Sequence, residues 1–174
     1  MNEPLRFLSG GNARKSNIEV HDIQFVAASQ PEEAWPALRE AWFGDADKVH
    51  IDGYGKLSWA DGHRITLCTH PPKNKTNRLW FVNAGAYDPA SLAEVHAFDF
   101  FVTGGIREAK KRAMQRLLKG KLHQHKDNLK DVDDCLLLDK VGEFYIHLTP
   151  DETGVPFMPE WQGYQPISSM NTPQ

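Results

Sequence analysis

The feature that most constrains this fold is a short string that occurs twice in the chain. Glu-Val-His stands at residues 19–21 and again at 94–96, which is an offset of 75 positions. His-x-Asp stands at residues 50–52 and again at 125–127, at the same offset. Because the residues between the two strings agree as well, the pattern indicates a duplicated segment. An internal repeat of this kind determines the architecture before any single motif does.

The repeat divides the chain into two units and a tail. We predict that unit one covers residues 1–72, that unit two covers residues 73–150, and that a proline-rich C-terminal tail covers residues 151–174. In each unit the apolar pattern predicts a β-β-α-β-β order. One unit alone offers too few elements for a good core. We therefore expect an α+β fold in which two tandem repeats pack about a pseudo-twofold axis, like a fused dimer, and form one compact domain.

Local patterns add detail to the strands and turns. The apolar alternation of the second strand changes phase at His21, and again at His96 in unit two, which predicts a β-bulge beside each histidine. The Asp-Gly pair at residues 61–62 predicts a tight hairpin turn. The stretch Ser-Gln-Pro-Glu at residues 29–32 predicts a capping box that starts the unit-one helix.

The two helices are predicted to be equivalent but unequal in length. Pro36 should kink the unit-one helix or delay its regular part, because proline disrupts a helix interior. The basic helix of unit two, predicted over residues 106–119, is expected to be one residue longer than its twin. On this alignment Trp42 and Leu118 are equivalent core residues that face the sheet.

Composition excludes several classes of protein. Hydrophobic residues make up 40% of the chain and charged residues 25%, which is typical of a folded globular protein rather than a disordered one. No apolar run approaches the roughly 18–20 residues that span a bilayer, so no membrane partner is expected. The two cysteines, Cys68 and Cys135, form no CxxC pair and suit a reducing compartment, so we expect a cytoplasmic location.

Several spaced strings carry a family resemblance over nearly the whole chain except the tail. They stand at residues 17–22, 36–39, 42–44 and 50–52 of unit one and at residues 125–129 and 131–135 of unit two. With these strings the chain resembles the domain of unknown function 1543 family. The resemblance implies a protein with one or two copies of this domain, mostly bacterial. It implies no activity.

A duplicated set of histidines and carboxylates is the main candidate site. Residues i and i+2 of a strand face the same way, so each Glu-x-His and each His-x-Asp doublet can converge. Imidazole and carboxylate groups suit Zn, Fe or Mn, which makes a divalent metal the one cofactor considered. The simpler interpretation, which we favour, is that each histidine is braced by a neighbouring carboxylate. The candidate residues are Glu19, His21, His50, Asp52, Glu94, His96, His125 and Asp127.

A second candidate is the basic helix of unit two. Residues 104–130 contain nine Lys or Arg against two acids, in a chain whose net charge is -3. Such a cluster can attract nucleic acid or another polyanion, but it lacks aromatic residues that would stack bases. A solvated helix face is the favoured interpretation. The anion-binding candidates are Arg107, Lys110, Lys111 and Arg116.

No nucleophile can be assigned from the sequence. The string His-x-Thr at residues 147–149 is typical of two-histidine phosphoesterases, but unit one has Leu-Cys-Thr at 67–69. Cys68 lies in an apolar strand without an identifiable base. The leading hypothesis is a protein not demonstrably enzymatic that binds an unknown small molecule or protein, or acts as a scaffold, through a polar His/acid groove between the repeats. The alternatives are a metal-dependent hydrolase and a weak polyanion binder.

Overall fold

The structure is a computed structural model that describes residues 3–87, 90–117 and 130–168, with only the backbone described at 130–133. Mixed α+β architecture is confirmed, with eleven strands and two α-helices in this part of the chain. No helix in the described ranges is long and apolar enough to cross a membrane.

Unit one runs β-β-α-β-β-β, with one more short strand than expected. Its elements are β1 (Glu3–Gly11), β2 (Val20–Ala28), a 3₁₀ turn (Pro31–Ala34), α1 (Trp35–Ala41), β3 (His50–Lys56), β4 (Trp59–Ala60) and β5 (His63–Cys68).

Unit two has the same order, and the tail contributes a strand of its own. The elements are β6 (Arg78–Tyr87), β7 (Glu94–Thr103), α2 (Ile106–Arg116), β8 (Lys130–Leu138), β9 (Lys140–Val141), β10 (Phe144–Pro150) and, in the tail, β11 (Trp161–Pro166).

Three antiparallel sheets organise these strands. The first has the order β11-β3-β1-β2, and the second has the order β8-β6-β7, so the first three strands of each unit are arranged alike. The third sheet, β4-β5-β10-β9, joins the units through β5 and β10. A core formed by residues of both units lies between the sheets and includes Ile65, Leu79, Phe100 and Ile146, with Phe25 packed against it.

The pairing of β5 with β10 is self-complementary. Thr66 lies opposite His147 at the middle of the pair, with Arg64 opposite Thr149 on one side and Cys68 opposite Tyr145 on the other. Exchanging the two strands therefore reproduces the same register, which is the pattern of an isologous contact.

The predicted bulges beside His21 and His96 are wrong. The β1–β2 and β6–β7 registers run without a shift through both histidines. The phase change arises because both faces of β2 are covered: Val20 and Val26 pack on one core and Phe25 on another. A strand buried on both sides need not alternate.

The bulges lie instead on the third strand of each unit. Between Leu8 and Ser9 the β1–β3 register skips Asp52, and between Asn83 and Ala84 the β6–β8 register skips Asp133. A bulge places two residues against one on the partner strand and re-aims their side chains. Both units therefore keep the same irregularity at the same place.

The two helical segments are equal in length, contrary to the expectation. The 3₁₀ turn and α1 together cover residues 31–41, and α2 covers 106–116, at the offset of 75. Pro36 lies in the first turn of α1, after the 3₁₀ turn, so it delays the regular helix as predicted. Trp42 and Leu117 both close their helices and are both buried. Leu118 lies outside the described residues.

Of two further predictions, the capping box at residues 29–32 is wrong and the tight hairpin turn is confirmed. The helical segment begins after Gln30, which makes no side-chain cap; the carboxylate of Glu33, not Glu32, accepts a hydrogen bond from the Ser29 N–H at 2.9 Å. The Asp61-Gly62 turn is confirmed, since β4 and β5 flank two residues with φ of 49° and 77°.

The tail packs on unit one. Strand β11 pairs with β3, and Ile167 is 0% exposed in the unit-one core. The Arg39 side chain donates a hydrogen bond to the Ile167 carbonyl at 2.9 Å, which fastens the tail to α1. Upstream, the guanidinium of Arg6 lies 3.3 Å from the centre of the Phe157 ring.

Candidate functional site

A glycine on the central strand positions the candidate site of unit one. Gly10 of β1 lies opposite His21 of β2 on one side and opposite His50 of β3 on the other. Residues paired across neighbouring strands face the same side of a sheet, and Gly10 has no side chain to separate them. The two imidazoles therefore lean over the glycine from both flanking strands.

Two carboxylates complete a ring with these imidazoles. The His50 Nε2 atom lies 3.1 Å from Glu19 Oε1 and 3.1 Å from Asp52 Oδ1. The His21 Nε2 atom lies 3.1 Å from Asp52 Oδ2 and 3.8 Å from Glu19 Oε2. Each carboxylate thus uses one oxygen for each histidine, so that bases and acids alternate around a four-membered ring. The fold brings together the two doublets that sequence alone could not join.

His50 is the buried member of the ring, and its Nε2 atom lacks an aligned hydrogen bond. His50 is 2% exposed, and its Nδ1 atom lies 3.3 Å from the Lys48 carbonyl oxygen. If Nδ1 carries the proton that this contact requires, Nε2 of the neutral ring holds a lone pair. Neither His50 Nε2 nor the buried Asp52 Oδ2 has an aligned hydrogen bond. Three electron-rich groups then face one another without a shared proton.

The space over Gly10 is matched to these groups. A Cβ atom at Gly10 would lie 2.7 Å from Asp52 Oδ2 and 2.7 Å from His50 Nε2. Any larger residue would push the ring apart. The ring of Tyr164 covers His50 from the tail side, with centroids 4.3 Å apart. No sequence pattern pointed to Tyr164, whereas Gly10 could have been found by asking which residue separates the two histidine strands.

The ring lies at one end of the unit-one sheet and not in a groove between the units. Its four members come from β2, β3 and the residue that precedes β2. The N–O distances of 3.1 Å at His50 are short enough for the predicted braces, but the Nε2 atom of His50 has no aligned hydrogen bond.

Unit two carries a related row of residues paired across three neighbouring strands, but the side chains of this row differ from those of unit one. Gly85 of β6 lies opposite His96 on β7, and the side chains of His96 and Glu94 approach to 3.5 Å. On the other side Gly85 lies opposite Asp131, where Gly10 lies opposite His50. After the helix the offset between the units is therefore 81 rather than 75.

This shift corrects the expected equivalence in unit two. Asp131 and the bulge residue Asp133 occupy the strand positions of His50 and Asp52. The predicted counterparts, His125 and Asp127, lie outside the described residues.

The basic helix of unit two is partly neutralised. Arg112 lies 2.6 Å from Asp61, and Arg116 lies 2.7 Å from Asp99 and 3.4 Å from Asp61. Arg116 is thus committed to ion pairs. The other three anion-binding candidates are exposed on the helix: Arg107, Lys110 and Lys111.

Two further features lie away from the ring. A cavity of about 220 Å³ opens between the linker at residues 71–77 and the β10 residues Tyr145, Ile146 and Leu148, and no ring residue lines it. Cys68, which had no base identifiable from sequence, lies beside His70 and His147.

The fold and the ring define the class: an α+β protein of two similarly ordered units, with a histidine–carboxylate cluster at the end of one sheet. The chain belongs to the Domain of Unknown Function (DUF1543) family, whose model matches residues 16–67 and 91–141. It is similar to a crystal structure of a protein Il1583 from Idiomarina loihiensis, with 32% sequence identity, 97% of this chain and 99% of that chain covered, and a TM-score of 0.75. No curated protein matches the chain.

Proposed function

We propose that the protein is a metal-binding protein whose ring of Glu19, His21, His50 and Asp52 holds one divalent transition metal. The observation that carries this proposal is the buried Nε2 atom of His50, which faces two carboxylate oxygens at 3.1 Å with no aligned hydrogen bond. A cation between these groups would relieve their repulsion and satisfy all three at once.

The donor set fits such an ion. Two imidazoles and two carboxylates suit Zn, Mn or Fe. Ligand atoms around an ion with bonds near 2.1 Å lie about 3.0–3.5 Å apart, and the four ring edges are 3.1, 3.1, 3.1 and 3.8 Å. The atoms across the ring are not all within 4.8 Å of one another, so binding would draw opposite corners inward.

The contact of His50 Nδ1 with a backbone carbonyl also supports the proposal. A histidine that binds a metal through one nitrogen commonly donates its other N–H to a carbonyl, which fixes the ring orientation. Lys48 supplies that carbonyl here. Cys68 and Cys135 form no disulfide with each other, which supports the cytoplasmic location expected from the sequence.

The proposal includes the repeat relationship of the two units. It is supported by the shared strand order, by the shared bulge on the third strand, and by the self-complementary pairing of β5 with β10. On this view the halves are related by a pseudo-twofold axis, and unit one carries the metal centre.

The proposal is tested by removing metal with a chelator and titrating the protein with Mn²⁺ and with Zn²⁺ by calorimetry. We expect the ring to bind one equivalent of either ion, and we expect that equivalent to be lost in His50→Ala. The sharper variant is Gly10→Ala, which keeps all four ligands but places a methyl group where they meet. Its matched control is Gly105→Ala, because a Cβ there would meet nothing within 4 Å.

Two results would overturn the proposal. One is a wild-type protein that binds neither ion at the ring, with NMR showing a protonated His50 that no metal disturbs; the ring then holds a proton. The other is a Gly10→Ala protein, folded by circular dichroism, that binds both ions as well as Gly105→Ala does.

Hydrolysis is the second candidate function, because the ring is open on one side. The side chains of Glu19 and His21 are 45% and 46% exposed, so a metal there would keep coordination positions for water. A metal-bound water is a nucleophile near neutral pH. Metal-dependent cleavage of nitrophenyl phosphate or acetate that His50→Ala abolishes would support an enzyme, and absence of turnover in the loaded protein would leave a binding protein.

A further inference from the structure

A second cluster of metal-ligating side chains lies on the sheet that joins the two units. Cys68 ends β5, His70 follows it by two residues, and His147 lies on β10. One ligand atom from each of the three side chains lies within 4.8 Å of the other two. Within the described residues, no other His, Cys, Asp or Glu group meets this criterion.

The strand pairing explains why these residues meet. Cys68 lies opposite Tyr145, and His147 is two residues further along β10, so Cys68 and His147 are diagonal neighbours on one face of the sheet. His70 returns over the same face: the rings of His70 and His147 meet edge to face, with centroids 5.2 Å apart and planes at 80°. Unit one thus supplies two of the ligands and unit two supplies the third.

The orientation of His147 is fixed as in a metal site. Its Nε2 atom lies 2.8 Å from the His70 carbonyl oxygen, so Nε2–H donates to that carbonyl and Nδ1 keeps the lone pair. A backbone carbonyl in this place is a common partner of a metal-binding histidine.

We infer that Cys68, His70 and His147 form a thiolate–imidazole site for a soft or borderline divalent cation, of which Zn²⁺ is the best match. A Cys/His/His set suits zinc, whereas the carboxylate-rich ring of unit one suits harder ions as well. Three protein ligands leave a fourth position for water or for an added ligand. The exposed His70 and the half-buried Cys68 and His147 give an ion access from solvent.

Metal binding at Cys68, His70 and His147 would connect the two units, which metal binding at the ring would not do. Because these ligands come from β5 and β10, bound zinc would link unit one to unit two across the sheet that joins them. Ligand binding to the folded state alone stabilises it by mass action, so zinc should raise the melting temperature of the protein.

Cys135 provides an internal control. It is the other thiol of the chain and is half-buried on β8, where burial raises its pKa. A thiolate is the form that binds metal, so Cys135 is the poorer ligand. The two thiols can therefore be compared in one protein.

The test is a Co²⁺ titration of the metal-free full chain, followed by the thiolate-to-cobalt charge-transfer band, which only a cysteine ligand produces. We expect one equivalent of Co²⁺ to produce the band, Cys68→Ser to abolish it, and Cys135→Ser and His50→Ala to keep it. His147→Ala should weaken binding by more than the roughly 10–100-fold that loss of a hydrogen-bond partner of a ligand costs, because it removes a ligand itself. Zn²⁺ should displace the cobalt. In the His50→Ala background, where the ring is disabled, Zn²⁺ should still raise the melting temperature, and adding Cys68→Ser should remove that rise.

A second readout keeps the inference falsifiable if a variant is unstable. In the wild-type chain, Zn²⁺ should protect Cys68 from a thiol reagent while Cys135 reacts at an unchanged rate, as mass spectrometry of the labelled peptides would show. A band that survives in folded Cys68→Ser, or equal labelling of Cys68 with and without zinc, would overturn the site. Retention of the band in His50→Ala separates this result from failure of the ring.

Discussion

Units one and two use the same strand arrangement but fasten their helices by different means. In unit two, α2 is held by Asp61, a turn residue of unit one that accepts hydrogen bonds from the Val102 N–H at 2.7 Å and from Arg112 at 2.6 Å. In unit one, α1 is held by the tail, through Arg39 and the carbonyl of Ile167. Each helix therefore depends on a segment from outside its own β-α-β core.

The residues that would form a reverse clamp do not stand at the corresponding positions of the described chain. At the offset of 81, the counterpart of Asp61 is Gly142, which has a φ of 58° and keeps the turn. At the offset of 75, the counterparts of Arg112 and Arg116 are Ala37 and Ala41. The backbone of the turn is thus the same in both units, while the ion pairs occur once.

The candidate sites differ in the same way. Both units place a glycine in the middle of a row, Gly10 or Gly85, and both keep the bulge. The row of unit one ends in His50, and that of unit two ends in Asp131. The two units therefore share their backbone geometry at this row and differ in the side chain that ends it.

The largest expected effect tests the helix ends. Trp42 is 8% exposed and Leu117 is 9% exposed at equivalent positions. Trp42→Ala should destabilise the protein by about 3–5 kcal/mol, and Leu117→Ala by about 2–5 kcal/mol, because each leaves a cavity. Urea denaturation would measure both, with Phe43→Ala as the control, since the Phe43 ring contacts Trp42 at a tilt but is 63% exposed. A Phe43→Ala variant that is destabilised as much as Trp42→Ala would reject the assignment of Trp42 as the core residue at the helix end.

A smaller effect tests the clamp between the units. Asp61→Asn removes the charge that Arg112 and Arg116 contact, while asparagine tolerates the left-handed turn. We expect a loss of about 1.5–3 kcal/mol, the range for hydrogen bonds to charged groups. Glu3→Gln breaks the exposed pair with Lys56 and should cost less, because solvent screens an exposed ion pair. Equal losses in chemical denaturation would mean that the clamp contributes no more than a surface pair.

A gain of stability is expected when unit one is made more like unit two. Ser9 is 1% exposed, its hydroxyl has no hydrogen-bond partner, and its counterpart is the buried Ala84. Ser9→Ala should stabilise the protein by about 1 kcal/mol, and Ala84→Ser should destabilise it by about 1–3 kcal/mol. Melting temperatures that move in the same direction for both variants would contradict this account of the pair.

The smallest effect concerns acid. Hydrogen bonds from the Thr153 hydroxyl and N–H, with a contribution from Arg64, hold the pKa of Asp151 below its usual range. A carboxyl with a lowered folded-state pKa contributes stability above its unfolded pKa, and that contribution is lost as pH falls through the folded pKa. In Asp151→Asn the fall of melting temperature between about pH 4.5 and pH 2.5 should be slightly shallower than in the wild type. An unchanged slope would show that the contacts are not kept in solution.

The α+β class and most of the order of elements could be predicted because apolar periodicity and turn residues are local signals. The bulge could not be placed correctly, since strand β2 is covered on both faces and its phase change imitates a bulge. The position of a bulge is set by the register of strand pairing, and that register depends on the partner strand as well.

The site was predicted residue by residue but not as an arrangement. The strings marked His21 and His50, and strand parity indicated their faces. That they meet depends on Gly10 and on the bulge at Asp52, which are properties of three strands together. The shift from 75 to 81 was missed in unit two because an identical His-x-Asp string lies six residues before the paired position.

Strand β11 also covers the edge of β3, where another copy of the chain could otherwise add a strand. Without β11, the seven residues of β3 would present a row of unpaired backbone groups, which is a template for strand addition by another chain. The corresponding edge of unit two, β8, begins with Lys130, Asp131, Asp133 and Asp134, and such charges oppose edge-to-edge pairing. Proteolytic loss of the tail would therefore expose this edge and favour aggregation through the first sheet.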